Sequence, residues 1–87
     1  EEYAQTVFMV RALENRVQRD PHIPTPEVEQ HVNVICDRAR NLADEHQEMQ
    51  ALCEGLQSIK LLRPPELLDR LRDLAAQVGH TAQESPH

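Results

Sequence analysis

Apolar residues along the chain fall into three periodic runs, and proline punctuates the gaps between them. In the first, Tyr3, Val10, Leu13 and Val17 keep heptad spacing with Val7 and Met9 beside them, which predicts an amphipathic helix over about 2–19. Arg16 and Arg19 occupy its last turn, where the carbonyl end of a helix favours positive charge. Asp20-Pro21 ends it, because proline disfavours the helical conformation in the residue before it. Thr25 is a candidate cap for the next helix, Pro26 suits its first position, and Glu27 and Glu29 favour its positive end.

The second run is the most regular. Val28, Val32, Ile35, Ala39, Leu42, His46, Met49, Cys53 and Leu56 alternate in steps of four and three, which predicts one long helix over about 26–61 with a heptad seam. Gly55 lies off the seam, where it loosens a helix by ~1 kcal/mol relative to Ala and marks the candidate hinge. Arg63-Pro64-Pro65 stops this helix. A third helix is predicted over about 65–78, with Leu67, Leu71, Leu74 and Val78 in one stripe and Leu68 and Ala75 alongside. Gly79 is its candidate C-cap, and 80–87 reads as a frayed tail.

These lengths set the expected architecture. At 1.5 Å per residue the middle helix is roughly 50 Å long and its neighbours about half that, so each level of the molecule has two helices. Two helices cannot enclose a leucine-rich core. The predicted fold is therefore all-α, a single segment of elongated antiparallel hairpins in short–long–short order, its packing completed by a protein partner or by self-association. The residues expected to bind protein are Leu42, His46, Met49, Cys53 and Leu56 of the seam, with Leu67, Leu68, Leu71, Leu74 and Val78 of the third helix. The function this implies is that of a non-catalytic scaffold or adaptor segment, an oligomer with itself or with another helical subunit. The alternatives are a compact three-helix bundle, broken near Gly55, that captures a short amphipathic peptide, and a regulatory helical domain of a larger enzyme.

Composition narrows the partners. Charged residues are 28% and hydrophobic ones 39%, too apolar for a disordered tail, and Tyr3 and Phe8 are the only aromatics. A net charge of −6 argues against nucleic acid and anionic lipid as partners. Val7-Phe8-Met9-Val10 is the longest run of large apolar residues, far short of the roughly 20 that span a bilayer, so no membrane insertion is expected. No signal-peptide pattern occurs. Two cysteines and no Asn-x-Ser/Thr acceptor point to the cytoplasm or nucleus. The chain opens on Glu1-Glu2-Tyr3 with the heptad pattern already running, as expected of a piece cut from a longer protein.

Candidate chemistry is sparse. Neither a phosphate-cradling glycine loop, a Ser-centred elbow nor a His-Glu-x-x-His pair is present, so no enzyme activity and no cofactor are expected. His46 and Cys53 share a face of the predicted long helix, but a closed zinc site needs four ligands, and no metal is expected. A Cys36–Cys53 disulfide is excluded in a continuous helix, which holds the two about 25 Å apart; an intermolecular one is not. His46 at a seam position is either a register or partner selector or a wet histidine at the junction of the short helices. Arg38, Arg40, Arg70 and Arg72 are interleaved with Asp37, Asp44, Asp69 and Asp73, the pattern of a solvated, salt-bridged face.

Overall fold

Proline ends the first and second apolar runs as the sequence predicts, and an additional reversal divides the second run in two. The computed structural model describes the backbone of residues 2–83 and side chains through Val78. Within them the chain forms four helices, α1 (Glu2–Arg19), α2 (Thr25–Leu42), α3 (Gln47–Ile59) and α4 (Glu66–Gln83), with no strand among the described residues.

The predicted 26–61 helix is thus corrected to a helical hairpin that turns at Ala43–His46 and not at Gly55. The turn uses no glycine, no proline and no left-handed residue. Instead, α2 tightens at its end, where the Ala43 amide donates to the Arg40 carbonyl, and the His46 amide returns to the Leu42 carbonyl at 2.9 Å. His46 itself is extended (φ −134°, ψ 95°) and reverses the chain as the N-cap of α3. The sequence supplies the reason: between Leu42 and Met49 the only apolar residue is Ala43, so a helix continued through this stretch would bury almost nothing.

Folding back makes the element lengths match. Helices α1, α2 and α4 have 18 residues each and α3 has 13. Each helix lies against two others, α1 on α2 and α4, and α3 on α2 and α4. This closed ring is a four-helix bundle with extents of 39 × 22 × 18 Å. Val10, Leu13 and Val17 meet Val28, Val32, Ile35 and Ala39, and on the other side Met49, Leu52, Leu56 and Ile59 meet Leu67, Leu71, Ala75 and Val78, in one core. Ile23, in the α1–α2 loop, is buried and joins it. Thr6 is the buried polar exception, and its hydroxyl donates to the Glu2 carbonyl at 2.8 Å. The expected two-helix levels, and with them the need for a partner to finish the core, are replaced by packing within the chain.

Three local expectations change as well. Gly55 is no hinge: it sits inside α3 where α4 approaches, and a Cβ there would come 2.7 Å from a methyl of Leu74. Its missing side chain leaves room for the Leu74 side chain. Thr25 is the first residue of α2 and makes no cap bond; Pro24 is the N-cap, and the Thr25 hydroxyl accepts from Arg63 at 3.2 Å. Gly79 does not end α4, which runs on through Gln83. The predicted tail over 80–87 is therefore helical to 83, and its remainder lies outside the described residues.

Because Leu71 is wholly buried among the helices of its own chain, Leu71→Ala is expected to cost about 2–5 kcal/mol in urea unfolding. Leu71→Glu is expected to abolish the helical circular dichroism of the whole domain. Leu61→Glu, at an exposed position, should leave stability within about 0.5 kcal/mol of the parent. A Leu71→Glu protein that stays fully helical would contradict the internal core.

Candidate protein-binding surface

The residues assigned to partner binding from the sequence divide by depth. Met49, Cys53, Leu56, Leu67, Leu71 and Val78 are buried in the bundle core, and Leu42, Leu68 and Leu74 are half-buried against it. The α3 half of the heptad seam and the leucine stripe meet where α3 packs on α4, while the α2 half packs on α1 and α3. His46 lies outside this core, half-exposed in the α2–α3 turn.

Large apolar side chains stay exposed at Leu61, past the end of α3, and at two positions on α1 and α2. Phe8 of α1 is 72% exposed and Val34 of α2 is 48% exposed. Two cross-helix contacts fix how these helices align: Arg38 Nη1 donates to Gln5 Oε1 at 3.5 Å, and Arg16 Nε donates to Glu27 Oε2 at 3.0 Å. Both fall on one antiparallel register, which sets Met9 opposite Val34 and Ala12 opposite His31. The outer groove between α1 and α2 is therefore apolar at its centre, with Phe8 on its rim one turn from Gln5, Arg11 and Ala12. Polar pairs close it at both ends.

Charge around this strip differs from that of the chain. Arg16 is tied to both Glu27 and Asp20, and its hydrogen bond holds the Asp20 carboxyl below its usual range. Arg40 is paired with Asp37 at 3.6 Å. Arg11 and Arg38 have no carboxylate partner among the described residues. A chain of net charge −6 thus presents two uncompensated arginines beside the exposed Phe8 and Val34. Sequence reasoning passed over Phe8 and Val34 because they break the heptad stripes, and that departure was the available signal.

A polar cluster closes the end of the bundle where α1 and α3 begin. The Tyr3 hydroxyl donates to Glu48 Oε2 at 2.7 Å, and the Tyr3 ring meets the His46 ring edge-on at 4.5 Å between centroids. His46 Nδ1 stands 3.7 Å from the same Glu48 oxygen. His46 therefore has specific neighbours, and they belong to its own chain. Burial, then the hydrogen bond to Glu48, pushes the Tyr3 phenol above its usual 10.0, while the same bond holds the Glu48 carboxyl below its usual 4.5. Among the described residues no group of three or more His, Cys, Asp or Glu could hold a metal ion, and no helix is long and apolar enough to cross a membrane.

The two shifts make stability depend on pH at both extremes. Glu48 is ionised more easily in the folded chain, so its contribution is present above about 4.5 and is lost as pH falls through the lower folded value. Tyr3 resists ionisation when folded, so its contribution is complete below 10 and declines as pH rises above that. Tyr3→Phe should flatten both limbs of a melting temperature versus pH profile. Unchanged limbs would mean that the pair does not persist in solution.

No protein-family model, no curated protein and no solved structure matches this chain.

Proposed function

We propose that the chain is a non-catalytic helical interaction module, a scaffold or adaptor segment, that captures an amphipathic helix with an acidic polar face in the outer α1–α2 groove. The observation that carries this reading is Phe8, a large aromatic left 72% exposed on a helix whose other large apolar side chains are in the core or packed against it. With Met9, Ala12 and Val34 it offers a short apolar strip of the width one helix face covers. Arg11 and Arg38 flank it, so carboxylates on the incoming helix would gain two partners. The same arginines, on a chain of net charge −6, favour a partner of different sequence over a second copy, whose matching strip would bring arginine to arginine and acid to acid. This retains the adaptor function expected from the sequence and moves its surface from the seam and the α4 leucines to α1 and α2.

A suitable probe is a pair of synthetic amphipathic peptides with one leucine face, one carrying glutamates and the other lysines on the polar face. Titrated into ¹⁵N-labelled protein, the acidic peptide is expected to shift amides over 5–12 and 31–38 and to bind more weakly as salt rises. Phe8→Asp should weaken it about tenfold or more while leaving the fold intact, since the position is exposed. Tighter binding of the basic peptide, shifts centred on another face, or no binding of either peptide would contradict the proposal.

A further inference from the structure

The reversal at Ala43–His46 has brought together two thiols that a continuous helix would hold far apart. Cys36 of α2 and Cys53 of α3 now face each other. The Cys36 thiol donates to the Cys53 carbonyl at 3.5 Å, and the neighbouring Cys53 thiol further disfavours the Cys36 thiolate. Both are free thiols. The expectation that no bond could join them is corrected with the helix that it rested on.

Their surroundings are unequal. Cys53, 7% exposed, lines an open groove of about 580 Å³ between α2 and α3, together with Arg40, Gln50, Glu54 and Gln57. Cys36, 1% exposed, is not among the residues lining that groove. Gln57 Nε2 donates to Cys36 Sγ at 3.5 Å, and both this bond and the positive charge of Arg40 favour its thiolate. Burial outweighs them and pushes the Cys36 thiol up to about 11, so it resists attack on reagents in solution.

We propose that Cys36 and Cys53 form a dithiol modification site that reacts with a small disulfide of the glutathione type and closes into an intramolecular disulfide across the α2–α3 hairpin. Cys53, the sulfur that the groove reaches, is the entry point. Its thiolate attacks one sulfur of the reagent, forming a mixed disulfide and releasing one reagent thiolate. The Cys36 thiolate then attacks the Cys53 sulfur, forming the Cys36–Cys53 bond and releasing the second thiolate. Two protein thiols are oxidised, one reagent disulfide is reduced to two thiols, and the two protons leave with those products. The second step is fast despite the reluctant Cys36 thiol, because its target is already beside it. Arg40, on the groove, also offers a cation to a carboxylate of the bound reagent.

The test exposes the folded chain to oxidised glutathione and follows intact mass and non-reducing peptide maps. The parent protein is expected to accumulate a monomer lighter by two hydrogens, with peptides containing Cys36 and Cys53 linked. Cys36→Ser should stop at a glutathione adduct on Cys53, and Cys53→Ser should react at least tenfold more slowly at its remaining thiol. If either variant fails to fold by circular dichroism, the parent's linked peptides alone decide. A parent that keeps a lasting adduct on Cys53 with Cys36 reduced, forms a covalent dimer, or stays unmodified would overturn the proposal. So would an oxidised form that melts below the reduced one, since closing this loop in a fitting geometry constrains the unfolded chain.

Discussion

Everything in this structure depends on the reversal between Leu42 and Gln47, which lets four apolar stripes share one core. A chain of 87 residues buries only about 60% of the surface that its unfolded form exposes, so it has little apolar area to leave uncovered. A rod of the length the seam suggests would expose one side of every stripe to water. Turning at Ala43–His46 places Met49, Leu52 and Leu56 against α2 and α4 and lets α4 reach α1, which closes the ring. The hydrophobic gain is collective, roughly 1.5–3 kcal/mol for each large side chain fully buried, set against local tightening at the end of α2 and one extended residue, His46.

The same reversal distributes chemistry over the surface. It makes neighbours of Cys36 and Cys53, and of Tyr3, His46 and Glu48, residues separated by 45 positions at the widest. It also spends the regular apolar stripes internally, so that any docking surface must be built from residues outside them. Phe8 and Val34 are such residues, and the arginines beside them reverse, locally, the sign of the chain's charge. Gly55 belongs to this account too, because a Cβ there would displace the Leu74 side chain of α4.

Much of the fold could be read in the sequence. The spacing of Val10, Leu13 and Val17, and of Leu67, Leu71 and Val78, marked the inward faces of α1 and α4, and Asp20-Pro21 and Pro64-Pro65 marked their limits. The α2–α3 turn was hidden for a specific reason. Leu42 and Met49 are seven residues apart, so the heptad phase passes through the turn unbroken, and both halves of the stripe point inward whether or not the helix continues. Glycine or proline would have signalled a break, but this one is made by Ala43, Asp44, Glu45 and His46 with ordinary backbone angles. A heptad stripe that crosses an unmarked turn makes core residues such as Met49, Leu56 and Leu71 look like an interface, since an open core and a partner surface share one sequence pattern.

The distance between Gln30 of α2 and Lys60, just past the end of α3, tests the reversal most directly. Spin labels at these positions, in protein diluted with unlabelled chain and measured by pulsed electron spin resonance, report that distance within one molecule. In a closed hairpin the labels lie near the same end of adjacent helices whose axes are ~8–10 Å apart, and a narrow distribution within about 20 Å is expected. A continuous helix would hold them about 45 Å apart, and a distribution centred there would contradict the bundle and everything derived from it.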